Sequence, residues 1–115
     1  MPEETINGYL MHYEVHGDGP PLVMIHGGLG GGEGSAATVE YHSETFSGDY
    51  QLICYDRRAA GRSETPTDGY DLPNQVQDLR ELLDRLNVTH AHILGSSAGG
   101  PVAMGLALDY PGMVD

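Results

Sequence analysis

The chain has 115 residues and a formal net charge of −12, from 17 acidic residues against five arginines and no lysine. Nucleic acids and anionic membrane surfaces bind to basic patches, so this charge argues against both as partners. The lack of lysine excludes P-loop and Schiff-base chemistry in this chain. The single cysteine, Cys54, excludes an internal disulfide and a cysteine-based zinc site.

The sequence carries no signal for a membrane or for export. No apolar run approaches the ~18 residues that a membrane span needs. Residues 1–4 are acidic and lack the basic and apolar regions of a secretory signal peptide. We therefore expect a cytoplasmic protein whose length suits a single domain.

The first half of the chain alternates extended segments with loops. Residues 8–16 alternate with a period of two, which predicts a strand whose more exposed face carries His12 and Glu14. Residues 22–25 form a short apolar run, typical of a strand buried on both faces. A Gly-rich loop over 26–34 then leads into a weak helical pattern over 36–46.

The second half repeats this alternation. The same signals predict, in order, a buried strand over 51–55, a polar loop to residue 70, a helix over 71–86, a buried strand over 90–95 and an apolar helix over 98–110. Asp71 is the predicted N-cap of the first of these helices, and Pro111 with Gly112 ends the second. This order predicts an α/β fold with a mostly parallel sheet and helices on both faces.

Three loops follow the buried strands, beginning at His26, Asp56 and Gly95. In a parallel sheet, binding and catalytic groups gather beyond the carboxyl ends of the strands. We therefore expect these three loops to form the site region.

The third loop contains the pattern G-x-S-x-G, from Gly95 to Gly99, between a buried strand and a helix. A tight turn there would strain the backbone of Ser97, and small residues at Gly95 and Gly99 would give it room. Ser97 would project its hydroxyl above the sheet as a nucleophile, and the Ala98 amide would donate to a developing oxyanion. An ordinary serine-rich helix cap explains the serines but not both glycines.

With these motifs, the chain resembles the N-terminal half of the α/β-hydrolase fold family, over residues 8–115. His26 and Gly27 match a loop that supplies a second oxyanion amide in that family. The resemblance implies that the Gly28 amide, or that of Leu29, pairs with the Ala98 amide. Residues 56–63 match the family pattern D-x-R-G-x-G-x-S, with Ala59 where Gly is usual. The prolyl aminopeptidase branch and the small-ester or lactone hydrolase branches fit equally well.

The sequence lacks the acid and the base that a serine nucleophile needs. In this family both follow the nucleophile, but no histidine and only Asp109 and Asp115 follow Ser97. We expect His26 to order its loop. The chain is thus predicted to be the N-terminal part of one α/β-hydrolase domain, truncated after the nucleophile helix and with little activity alone. It would have an unpaired sheet edge and a partly uncovered last helix.

Ser97 indicates acyl transfer through an acyl-enzyme, because epoxide-hydrolase relatives use Asp at this position. The expected substrate is a small molecule with an ester, lactone, thioester or amide bond, and we expect no cofactor and no metal. His90 and His92 lie two apart on one strand, where we expect surface residues rather than a metal site. The sequence leaves the oligomeric state open.

Two other classes of protein remain as alternatives. Gly32, Gly34 and Ala37 fit the dinucleotide pattern G-x-G-x-x-A, with Asp56 placed for a ribose contact. Against a Rossmann-type domain, the first glycine lies far from its strand, and Glu33 would put a carboxylate beside the pyrophosphate. The third class is a non-catalytic, hydrolase-like binding module, which the absence of a visible acid and base leaves possible.

Overall fold

The computed structural model describes residues 3–27 and 34–115 of the chain. Within them, five strands form one sheet: β1 (Glu3–Ile6), β2 (Tyr9–His16), β3 (Pro21–Ile25), β4 (Gln51–Tyr55) and β5 (His92–Gly95). The helices are α1 (Ala36–Phe46), α2 (Leu72–Arg85) and α3 (Gly99–Asp109), followed by a short 3₁₀ helix (Pro111–Met113). The predicted order of elements is confirmed, and β1 is an element that the prediction lacks.

The additional strand forms a hairpin with β2. The two strands are joined at Asn7 and Gly8, which both have positive φ angles, 46° and 87°. Ile6 pairs with Tyr9 across this two-residue turn. An Asn-Gly pair is the sequence signal for such a turn, because both central residues need positive φ. The dipeptide at positions 7 and 8 is therefore the clue that identifies β1.

The strands lie in the order β1-β2-β4-β3-β5. β3 is parallel to both β4 and β5, whereas β2 is antiparallel to β1 and to β4. All the described strands except β2 therefore point the same way, which confirms a mostly parallel sheet. Ile25 pairs with Tyr55 on one side and with Gly95 on the other. The three loops singled out from the sequence thus begin side by side at one edge.

Helices cover both faces of the sheet, as predicted. On one face, α2 and α3 contribute buried side chains to the larger core: Val76, Leu79, Leu82, Leu83, Val102 and Leu106. On the other face, Val39 and Phe46 of α1 pack against a smaller core of Leu22, Met24, Leu52 and Cys54. Burial raises the pKa of the Cys54 thiol to about 12.

The last helix and the last strand are only partly covered. On α3, Val102 and Leu106 are buried, but Met104 is 61% and Leu108 82% exposed. β5 is the outermost strand, and the single parallel bridge from Ala91 to Val114 lies just before it. Both features match the uncovered helix and open edge expected from the sequence. No described helix is both long enough and apolar enough to cross a membrane.

The prediction that His12 lies on an exposed face is wrong, because its side chain is only 2% exposed. The loop after β4 folds over this part of β2. The Ser63 hydroxyl accepts a hydrogen bond from the His12 backbone N–H at 2.9 Å, and Glu64 N–H donates to the Leu10 carbonyl. A period of two distinguishes the faces of a strand, but it does not reveal what a distant loop covers.

Candidate active site

The turn between β5 and α3 places Ser97 at the carboxyl edge of the sheet. Its φ angle is 51°, in the left-handed region that a side chain with a Cβ rarely adopts. The strained backbone predicted for this residue is therefore confirmed. Ser97 is also exposed, and no group among residues 3–27 and 34–115 hydrogen-bonds its hydroxyl.

Three glycines allow the backbone to pass close to this turn. A Cβ on Gly95 would collide with the Gly99 carbonyl oxygen, and a Cβ on Gly99 would collide with the Ile25 carbonyl oxygen. A Cβ on Gly27 would lie 3.0 Å from the Cβ of Ser97. These approaches explain why glycine stands at each position, and they show that the end of β3 packs directly on the serine turn.

The Ala98 amide lies at the amino end of α3, where this residue is the N-cap. The backbone bonds of the turn start one residue later, with Gly99 N–H donating to the Ser96 carbonyl at 2.8 Å. In the part of the chain that the structure describes, the Ala98 N–H has no acceptor. A free N–H at a helix N-terminus favours negative charge. The partner amide predicted at Gly28 lies outside the described residues and stays a prediction.

His26 follows β3 and uses both of its ring nitrogens in hydrogen bonds. Nε2 accepts the backbone N–H of Arg57 at 2.9 Å, which assigns the ring proton to Nδ1. Nδ1 then donates to the Gly27 carbonyl at 2.7 Å. Burial lowers the pKa of His26, so the ring stays neutral. Its contacts match the loop-ordering role expected from the sequence rather than the role of a base for Ser97.

Asp56 follows β4, and its buried carboxylate joins two loops. Oδ1 accepts hydrogen bonds from the backbone N–H and the hydroxyl of Ser35, at 2.6 and 2.7 Å, and Oδ2 accepts the Arg62 N–H at 2.9 Å. Gly34 and Gly61 lie so close that a Cβ on either would collide with this carboxylate.

The contacts of Asp56 weaken the dinucleotide alternative. The carboxylate that would bind a ribose is 3% exposed and both its oxygens are occupied. Gly34 is explained by its approach to Asp56, without a pyrophosphate. Of the other residues in that pattern, Ala37 lies in α1 and Gly32 lies outside the described residues.

The loop after β4 also contributes to a buried ion pair, between Arg58 and Asp78, that the sequence analysis did not predict. Arg58 donates to both oxygens of Asp78 on α2, at 2.8 and 2.9 Å, and these hydrogen bonds raise the pKa of the guanidinium. Arg58 also donates to the Asn7 carbonyl and lies 4.6 Å from the centre of the Tyr9 ring. The pair therefore ties the β4 loop, α2 and the first hairpin together.

The two histidines near β5 are exposed, as predicted. His90 contacts the Asp115 carboxylate at 2.7 Å, and His92 meets the Tyr50 ring edge-on. Among the described residues, no three His, Cys, Asp or Glu side chains are arranged to hold a metal ion.

Comparison with known proteins identifies the family. A family model described as alpha/beta hydrolase fold matches residues 20–115, and the chain belongs to this family. It is 34% identical over 116 residues to the protein named "Putative carbamate hydrolase RutD" of Caulobacter segnis, an alignment that covers 96% of this chain and 42% of that protein. It is also 34% identical over 113 residues to the soluble epoxide hydrolase of Corynebacterium sp. strain C12, covering 98% and 38%.

Solved structures show the same fold. A hydrolase from Pseudomonas aeruginosa PA01 superposes with a TM-score of 0.89 at 28% identity, over 99% of this chain and 43% of that chain. The α/β-hydrolase fold predicted from the sequence is therefore confirmed. The chain spans about two fifths of the length of the relatives it matches.

Proposed function

We propose that the protein containing this chain is a serine hydrolase that acts on a small molecule with an ester, lactone, thioester or amide bond. One observation carries this proposal: the exposed Ser97 has a φ angle of 51° and stands beside the amino end of α3. A serine hydroxyl attacks carbonyl carbon to form an acyl-enzyme. The names of the two relatives indicate different substrates, a carbamate and an epoxide, and of these only a carbamate contains a carbonyl group.

In the proposed mechanism, Ser97 Oγ bonds to the substrate carbonyl carbon while its proton passes to a base. The carbonyl oxygen becomes an oxyanion that accepts the Ala98 N–H and, as the family resemblance implies, the Gly28 N–H. The leaving group departs with a proton, and water then hydrolyses the acyl-enzyme and restores the serine hydroxyl. We propose that the base and the acid that orients it lie in chain segments beyond this sequence, as the order of residues in the family implies.

The proposal is tested by turnover of a panel of aryl esters, lactones and amides, with fluorophosphonate labelling of the intact protein. Ser97→Ala is expected to lower turnover by about 10³-fold or more and to abolish labelling. Ser96→Ala is the matched control, since it removes the neighbouring hydroxyl and is expected to keep both. The isolated 115-residue chain is expected to turn over little substrate. Full turnover by Ser97→Ala, or a label on another residue, would overturn the assignment.

The same reagents separate the alternatives. A non-catalytic binding module predicts no labelling of Ser97 in the intact protein, because its hydroxyl would not be activated. A dinucleotide-binding domain predicts a change in NADH fluorescence on titration, whereas a serine hydrolase predicts none.

A further inference from the structure

Arg57 connects the ends of β3 and β4 with α2. Its Nε–H donates to the His26 carbonyl oxygen at 3.2 Å, and its backbone N–H donates to the His26 ring. Nη1 donates to Oε1 of Gln75 at 2.9 Å, and the Gln75 amide nitrogen donates to the Tyr70 carbonyl at 2.7 Å. The guanidinium is thus fixed on one side by a helix and on the other by the backbone of residue 26.

The backbone that Arg57 binds is the backbone that packs on the serine turn. A Cβ on Gly99 would lie 2.8 Å from the same His26 carbonyl oxygen. A Cβ on Gly27 would lie 2.9 Å from the Ser96 carbonyl oxygen and 3.0 Å from the Ser97 Cβ. Residues 26 and 27 therefore form a wall against both Ser97 and the first residue of α3.

We propose that Arg57 is a positioning residue for Ser97, acting through the backbone of His26 and Gly27. This inference rests on the proposed serine hydrolase function. Displacing a nucleophile by about 1 Å lowers the reaction rate on the order of 100-fold. The backbone of residues 26 and 27, which packs against Ser97, is therefore expected to affect turnover. The D-x-R-G-x-G-x-S pattern leaves position 57 unspecified, so this role comes from the contacts in this chain rather than from the motif.

Substitution at position 57 removes the guanidinium contacts but keeps the backbone N–H that binds the His26 ring. Arg57→Leu is therefore expected to fold and to lower kcat about tenfold, with KM changed less than twofold. Gln75→Leu removes the acceptor of Nη1 but leaves the Nε–H bond to the His26 carbonyl, so a smaller loss of kcat is expected. Gln75→Glu keeps an acceptor for Nη1 but loses the donor to the Tyr70 carbonyl, so its kcat is expected to lie between those of Gln75→Leu and the wild type. Arg85→Leu removes the same charge from an exposed position on α2 and serves as the control.

The double variant Arg57→Leu with Gln75→Leu shows whether the two residues act as one unit. Because Gln75 acts through Arg57, the double variant is expected to have the kcat of Arg57→Leu alone. Additive losses, or an unchanged kcat in Arg57→Leu when Ser97→Ala is inactive, would overturn the proposal and leave the serine hydrolase standing.

A second readout does not need activity. The backbone amide resonances of Gly27 and Ser97 are expected to shift in Arg57→Leu and to stay in place in Arg85→Leu. If they do not shift, the link from Arg57 to the serine turn is wrong whatever the enzyme does. If they shift and Ser97→Ala is fully active, the proposed function fails and, with it, the positioning role.

Discussion

Two neighbouring loops at one edge of the sheet differ in the burial and hydrogen bonding of their polar side chains. The loop after β4 buries Asp56 and Arg58 and surrounds both with hydrogen-bond partners. The turn after β5 exposes Ser97, strains its backbone and gives its hydroxyl no partner among the described residues. Buried charges with full sets of partners are typical of a scaffold, whereas backbone strain clusters at active sites, the role that we propose for Ser97.

The largest expected effect on stability concerns the buried ion pair of the loop after β4. Arg58→Met leaves the Asp78 carboxylate buried without its cation, and breaking such a pair lowers the free energy of unfolding by about 3–5 kcal/mol. Combining it with Asp78→Leu removes both charges and is expected to recover most of that loss. Urea unfolding measures both variants. A loss below about 1 kcal/mol in the single variant would contradict a scaffold role for this pair.

A smaller effect is expected where the serine turn packs on β3. Gly99→Ala places a Cβ against the carbonyl oxygens of Ile25 and His26, and we expect the free energy of unfolding to fall by about 3 kcal/mol. Gly100→Ala is the matched control, because a Cβ at this position meets no atom within 4 Å and alanine favours the helix. Equal stability of the two variants would show that the close approach does not constrain the turn.

Strain at Ala59 and at Ser97 can be compared to test the function proposed for Ser97. Ala59 has a φ angle of 63°, where the family pattern usually has glycine, and Ser97 has 51°. Glycine at either position removes a strain of about 1 kcal/mol, so we expect both Ala59→Gly and Ser97→Gly to stabilise the fold. Only Ser97→Gly is expected to end turnover. Thermal unfolding and the ester assay together test this; stabilisation at neither position would contradict the strain.

The smallest expected effect is a dependence of stability on pH. Burial lowers the pKa of His26 below its ordinary value of about 6.5. An unfolded His26 would bind a proton that the folded one does not, so its contribution to stability is present above that ordinary value and is lost as the pH falls through the folded pKa. Urea unfolding between pH 8 and 5 is expected to show a shallower fall for His26→Gln than for the wild type. Parallel curves would contradict this.

Local sequence signals predicted the serine turn and the elements other than β1 and the short 3₁₀ helix, because these depend on neighbours in the chain. The bounds of α1 and β4 agree with the periodicity, and the two glycines flanking Ser97 predicted its strained backbone. Signals that depend on distant contacts were missed or misjudged. His12 is buried where the loop after β4 hydrogen-bonds to its backbone through Ser63, and Gly34 matches the dinucleotide pattern although it lies against Asp56. Arg57 and Gln75 meet only once β4 and α2 are packed, so no spacing reveals them.

Because Cys54 is buried, its reaction with an alkylating reagent reports local opening of the fold. It is the single thiol of the sequence, it is fully buried beneath α1, and its raised pKa leaves almost no thiolate near neutral pH. An alkylating reagent therefore reacts only during moments when that face of the sheet opens to water. The rate of alkylation then measures how often α1 separates from the sheet, independently of local unfolding of α2 and α3 on the other face. Within this sequence, alkylation of Cys54 thus times the opening of one layer of the fold.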